Sequence, residues 1–223
     1  DEMRDKLVHT VDAFIDVKEM DDKDIALLAR QDKIDIAVDL KGDTLNTRFG
    51  IFAYRAAPIQ VNYLGYPGTM GADFIDYIIA DPTIIPPKYK RYYSEEVIYL
   101  PHTYQPTDNT RLISKVKTTK IENNLPQNSF VFCCFNNSYK ITWVEFDIWM
   151  RLLKKLDGSV LWLLESNKWV EGNLKGEAKN RGIDENRIIF AKTLPNDKHL
   201  ARHECADLFI DTFNVNALSL IHI

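Results

Sequence analysis

The apolar positions in the second half of the chain come in short unbroken runs, each followed by a stretch with helical spacing. SFVFCCF (129–135), SVLWLLE (159–165), RIIFAK (187–192) and DLFIDT (207–212) have the length and continuity of strands covered on both faces. After the first run, Thr142 and Glu145 make the pattern of a capping box, and Ile148, Trp149, Leu152, Leu153 and Leu156 then share one helical face up to Gly158. A polar helix around 173–181 ends at Gly182, and PNDKHLARHECA opens a last helix with proline in its first turn. The alternation predicts a parallel sheet with right-handed crossovers.

The first half alternates less regularly. AFIDV (13–17), IDIAVDL (34–40) and IQVNYL (59–64) have strand character, with helices through IALLARQDK and near 47–56 between them. The turn-rich loop GYPGTMG (65–71) follows, then two further strands, FIDYIIA and VIYL, on either side of the proline-rich DPTIIPPKYK. The polar stretch 107–128 has no apolar period and reads as a linker, which divides the chain into an α/β unit at 1–106 and a second at 129–223. No internal repeat or low-complexity tract is present.

Composition narrows the function classes. The chain has 223 residues, 45% hydrophobic and 27% charged, an ordinary globular balance. A net charge of −4 without a basic run argues against a nucleic-acid partner. No apolar stretch approaches the ~18 residues of a membrane span, and the start does not resemble a signal peptide, so no membrane partner is expected. Cys133 and Cys134 are neighbours on a strand and face opposite ways, which makes them poor disulfide partners. With Cys205 they read as buried, reduced thiols of a cytoplasmic protein, and their spacing suits no zinc site.

Candidate chemistry lies on the turns, since ligands of an open parallel sheet sit beyond the carboxyl ends of its strands. FNNSYK leaves the strand SFVFCCF for a helix, whose first N–H groups and positive end favour an anion. Lys140 adds a full charge, and Asn137 and Tyr139 add directional contacts, a set suited to a phosphate or diphosphate. The plainer alternative is a solvated lysine on an asparagine-built turn. LPNDKHLARH (194–203) is a second such turn. His199 and Arg202, three apart, share a face there, and a neutral imidazole can stack on a nucleobase; a surface histidine and arginine would look the same. GYPGTMG is either a structural turn or a loop that lets a ligand approach the backbone. Asp22 and Asp24 form a D-x-D at a helix start, where capping is the simpler role. Asp73, Asp76 and His102 point to nothing definite.

DIAVDLKGDT, APIQVNYLGYPGTMGADFIDYIIAD, YSEEVIYLPHTYQPTD, FNNSYKI and RIIF with LPNDKHLARHECADLFIDT resemble the catalytic region of protein O-linked N-acetylglucosamine transferases. The likeness is greatest to bacterial relatives with tetratricopeptide repeats upstream. It runs from near residue 10 to about residue 217, and LGYPGTMGADFIDYIIAD is its most specific part. It implies a GT-B-like α/β fold of two Rossmann-like units with parallel sheets, both incomplete here. It also implies an inverting transfer from UDP-GlcNAc to a protein serine or threonine, with no metal and no other cofactor. The partners would be the UDP-sugar and a protein or peptide acceptor.

Position by position, the resemblance assigns Lys140 to the UDP diphosphate, where it would steady the leaving group. Asn137 stands where the family usually has glutamine, and His199 matches the histidine that stacks on uracil. Leu194 and Arg202 match positions near the base, and Asn196 replaces a lysine of the animal enzymes. Leu64, Gly65, Pro67 and Thr69 belong to a loop near the sugar and acceptor, and Arg48 matches an arginine of the first domain. The family's proposed catalytic histidine lies upstream of residue 1, and its phosphate-holding His-Thr-Thr loop follows the position of Ala217, where this chain reads LSLIHI. The chain is therefore expected to be an inactive internal piece of a larger enzyme, with an apolar tail prone to aggregate. Another GT-B enzyme acting on a glycan or small molecule, or a non-catalytic nucleotide-sugar-binding module, remains the alternative reading.

Overall fold

A computed structural model describes residues 2–217; the tail LSLIHI lies outside the described residues. The chain divides at Pro106/Thr107 into two units, each with a four-stranded, wholly parallel sheet. In the first unit, helices α1 (Glu2–Thr10) and α2 (Asp22–Gln31) precede β1 (Ile36–Asp39), and the short α3 (Gly50–Ala53) leads to β2 (Ile59–Tyr63). β3 (Tyr77–Ala80) and β4 (Glu96–Tyr99) follow, and the strands lie side by side in chain order. In the second unit, β5 (Val131–Cys134), α4 (Trp143–Lys155), β6 (Val160–Leu164), α5 (Val170–Asn180), β7 (Ile188–Ala191), α6 (Asn196–Arg202) and β8 (Leu208–Phe209) form a sheet ordered β7-β6-β5-β8.

The unbroken apolar runs of the second unit have the cause expected of them. One face of its sheet buries Phe132, Cys134, Leu161, Leu163 and Ile188 against α4 and α5. The other buries Val131, Cys133, Val160 and Trp162 with Phe135, Cys205 and Leu125. Cys133 and Cys134 thus point into different cores, and all three cysteines are free and buried. Burial pushes the Cys134 thiol up to about 11 and raises Cys133 further. The stretch 107–128 keeps company with this unit: Leu125 joins the second core, and the Ser114 amide donates to the Asp197 carbonyl at 3.1 Å.

Three expectations need correction. Residues 13–17 form no strand; Phe14 and Ile15 are exposed, so that short alternation had no core to face. The helix at 47–56 shrinks to the single turn of α3. The buried stripe of α4 is Phe146, Trp149, Met150 and Leu153, rotated from the face expected, with Leu156 exposed. In the first unit, Ile78, Ala80, Ile85 and Val97 make a smaller core. The opposite face of β1 leaves Ile36 and Val38 exposed at 54% and 43%. Among the described residues, no helix is long and apolar enough to cross a membrane.

Candidate functional site

The order β7-β6-β5-β8 reverses direction at β5. Chain leaving β5 turns toward β6 and chain leaving β8 lies on the other side, so the strand order switches between these two turns, the place where open parallel sheets generally take their ligands. FNNSYK is the turn after β5 and DTFNVNA the turn after β8. They are joined by Asn136, a buried amide whose Nδ2 donates to Asp211 Oδ1 and Thr212 Oγ1, each at 2.8 Å. The Asp211 carboxylate also accepts from the amides of Thr212 at 2.8 Å and Ala217 at 3.0 Å. Lys140 reaches the same turn, with Nζ 3.5 Å from the Asn216 carbonyl.

The positive charge at this turn has a different source from the one expected. FNNSYK does not run straight into the helix: Ser138–Lys140 make a 3₁₀ turn, and α4 begins only at Trp143. There the capping box is closed, with the Thr142 amide donating to Glu145 Oε1 at 2.6 Å and the Thr142 hydroxyl to Glu145 Oε2. Burial alone would raise the Glu145 carboxyl, but the Thr142 hydrogen bonds outweigh it and hold the group below its usual range. An ionised carboxylate therefore already sits on the positive end of α4. The charge left for a ligand is that of Lys140. Asn137 is exposed, with Nδ2 3.4 Å from the Tyr139 hydroxyl, and Tyr139 is 80% exposed.

On α6, His199 is half-buried, with its ring centroid 5.2 Å from Phe135 and 4.8 Å from His203. Burial, then the charge of Arg202 and the neighbouring His203, lower its pKa to about 4, so the ring is neutral at physiological pH. Arg202 was expected to reach the ligand. Instead it is 1% exposed, donating to the Lys192 carbonyl at 2.5 Å and to Nδ1 of His199, while its plane lies over Phe135. It fixes the imidazole and does not project beyond it. Leu194 is exposed just before the Pro195 cap of α6, and Asn196 opens that helix. A cleft of about 650 Å³ along the free edge of β7 is lined by Leu194, Lys192 and Arg202 among others, and Asn137 and Lys140 do not line it. It is a different surface from the turns after β5 and β8.

In the first unit, the loop after β2 is held stiffly. Leu64 has φ +79° and the Gly65 amide donates back to the Tyr63 carbonyl at 3.1 Å, the geometry of a strained γ-turn. A Cβ on Gly65 would stand 2.4 Å from the Lys41 carbonyl oxygen, so glycine is required by the close approach of the β1 end. The Pro67 carbonyl accepts from the Tyr93 hydroxyl at 2.9 Å. The Thr69 hydroxyl donates to buried Glu95 at 2.7 Å, and the Met70 amide to its other oxygen at 2.5 Å. Glu95 was missed from sequence, since nothing distinguishes it there from Glu96.

Arg48 is committed within its own unit, to Asp22 and to the carbonyls of Val17 and Met20. Asp22 of the D-x-D is thus spent on Arg48, and the cap expected of Asp22 and Asp24 is supplied instead by Asp21, whose carboxylate accepts from the Asp24 amide at 2.8 Å. Asp76 is likewise structural, paired with Arg55 and the Gln60 amide. Among the described residues, no group of three or more His, Cys, Asp or Glu side chains could hold a metal ion.

The profile of Glycosyl transferase family 41 matches residues 1–123 and 114–219. The chain is 36% identical over 216 residues to the probable UDP-N-acetylglucosamine–peptide N-acetylglucosaminyltransferase SEC of Arabidopsis thaliana, covering 95% of this chain and 22% of that protein. It is 31% identical over 219 residues to the corresponding SPINDLY protein of Petunia hybrida, covering 94% and 23%. It thus spans less than a quarter of these relatives. A mutant of the Thermobaculum terrenum O-GlcNAc transferase superposes with a TM-score of 0.86 at 26% identity, over 97% of this chain and 41% of that one. The expected fold class stands: two Rossmann-like α/β units with parallel sheets, GT-B-like.

Proposed function

The chain belongs to glycosyl transferase family 41, and from that premise we propose that its parent protein moves N-acetylglucosamine from UDP-GlcNAc to a serine or threonine of a protein acceptor. The acceptor hydroxyl attacks the anomeric carbon and gives up its proton to solvent, the bond to the diphosphate oxygen breaks with inversion, and UDP leaves carrying that bond's electron pair, its negative charge increased by one. The observation that carries the reading is the placement of Lys140 at the switch point. Among the described residues its ammonium makes one long contact, to a carbonyl, and so keeps donors for a diphosphate. A cation preorganised where charge develops lowers the barrier most.

The other roles follow in this reading. Neutral His199, held by Arg202, offers a ring face to the uracil, with Leu194 beside it. Asn137 and Tyr139 are exposed next to Lys140 and contact the donor. The stiff loop of Leu64, Gly65, Pro67 and Thr69 meets the sugar or acceptor, while Arg48 ties Asp22 to the Val17 and Met20 carbonyls within its unit. We place the protein in the cytoplasm, where its buried free thiols stay reduced.

The test is Lys140→Ala in the full-length protein, assayed with UDP-GlcNAc and a peptide acceptor. kcat is expected to fall roughly a hundred- to thousandfold, the scale of one preorganised electrostatic group. Turnover within about threefold of wild type would remove Lys140 from the chemistry. Donor hydrolysis or transfer to a glycan, with no peptide product, would instead favour a different acceptor class.

A further inference from the structure

Asn136 and Asp211 stand beside the proposed diphosphate site; Asn136 is buried, and the half-buried Asp211 carboxylate is engaged by donors of its own turn. Among the described residues, the donors and acceptors that join them have fixed directions. Asn136 Nδ2 has two hydrogens, and both cross from the β5 turn to the β8 turn, one to Asp211 Oδ1 and one to Thr212 Oγ1. Thr212 spends its own hydroxyl hydrogen on the Val215 carbonyl at 2.7 Å, so toward Asn136 it can only accept. The carboxylate, an acceptor only, gathers the amides of Thr212 and Ala217 and, at 3.3 Å, Asn216 Nδ2. Asn216 Nδ2 also donates to the Thr212 carbonyl at 2.8 Å. The turn from Asp211 to Ala217 is therefore wound around one carboxylate, and Asn136 ties it to the end of β5.

The Asn216 carbonyl, whose peptide is fixed on one side by its own side chain and on the other by the Ala217 amide, is the group that meets Lys140 Nζ. We propose that Asn136 and Asp211 are positioning residues: they set the β8 turn so that the Asn216 carbonyl holds the Lys140 ammonium at the switch point. Strand pairing alone does not do this, because β8 pairs with β5 over only Leu208 and Phe209. A free lysine side chain would have to lose its rotamer freedom when the diphosphate arrives, and a tethered one has lost part of it already. At 3.5 Å the tether is weak enough to leave the ammonium available.

This inference rests on the role proposed above for Lys140, and a double-mutant cycle separates the two. In the full-length protein, Asn136→Ala should lower kcat about ten- to a hundredfold, the effect of a misplaced catalytic group, with the UDP-GlcNAc KM within about threefold. In a Lys140→Ala background the same change should lower kcat by no more than about twofold, because there is no ammonium left to misplace. Asp211→Asn, which keeps the volume and removes the charge, should behave alike and serves if Asn136→Ala does not fold. A lowered melting temperature with unchanged kcat in the folded enzyme, or full additivity with Lys140→Ala, overturns the positioning role. If Lys140→Ala alone leaves turnover intact, the reading of Lys140 fails and the positioning role goes with it.

Discussion

Arg202 donates to Nδ1 of His199, and this one bond decides the tautomer of the neutral imidazole. A guanidinium has no acceptor, so Nδ1 must present its lone pair and the ring's single proton sits on Nε2. A second proton would have to displace Arg202 and place two cations side by side in a partly buried setting. The ring that the resemblance assigns to uracil is thus held neutral by burial first, and then by the charges of Arg202 and His203.

The first prediction is a titration. The His199 ring should titrate near pH 4, against about 6.5 for a free histidine, when followed by NMR of its Cε1 proton. Because the folded value is the lower one, the unfolded chain takes up the proton first as pH falls. The stability linked to this group is whole above about pH 6.5 and drains away toward pH 4. His199→Phe should flatten that loss of melting temperature, leaving the smaller share of His203, which burial also lowers. A midpoint at 6 or above would sink the argument.

If the ring stacks on the base, its area matters more than its nitrogens. His199→Ala should weaken UDP binding by about 1–3 kcal/mol, the scale of base–aromatic stacking, while His199→Phe keeps most of the affinity. Calorimetry on the full-length protein would decide, and equal affinity in all three forms would place the uracil elsewhere.

Gly65 and Gly172 give opposite predictions for the same substitution. Gly65→Ala drives a Cβ to 2.4 Å from a backbone oxygen that cannot swing aside, and should destabilise by about 1–3 kcal/mol or more. A Cβ on Gly172, inside α5, meets nothing within 4 Å, so Gly172→Ala should stabilise by about 0.5–1 kcal/mol. Urea melts of the two variants check both signs.

Much of this was legible in the chain. Continuous apolar runs announced a doubly covered sheet, and Thr142 and Glu145 announced the cap of α4. What sequence could not show is which of two like neighbours turns inward. Asn136 is buried and Asn137 exposed; Glu95 is buried and Glu96 is not. Successive side chains leave an extended chain on opposite sides, and only the register of the sheet says which side is covered. Arg202 was misjudged for a related reason. Its spacing from His199 is right for contact, but spacing is silent on whether the shared face looks outward or into Phe135 and Trp162.

The last prediction concerns Glu95, whose buried carboxylate holds the loop after β2. One oxygen accepts from the Thr69 hydroxyl and the other from the Met70 amide, and Ser94 Oγ adds a third donor at 3.2 Å. Glu95→Gln keeps the shape but replaces one acceptor with an NH₂ that must face a donor, either the Met70 amide or the Thr69 hydroxyl. The hydroxyl can rotate and the amide cannot, so the glutamine should settle with its oxygen on Met70 and lose about 1–2 kcal/mol. Glu95→Ala removes both anchors and should free residues 67–71, seen as faster amide exchange at Met70 and Gly71 while β5–β7 in the other unit are unchanged. If this loop meets the acceptor, peptide KM in the full-length protein should rise severalfold in Glu95→Ala, with the UDP affinity of the second unit unaltered. Unchanged exchange at Met70 would show that the γ-turn and Tyr93 hold the loop by themselves, and that Glu95 is not its anchor.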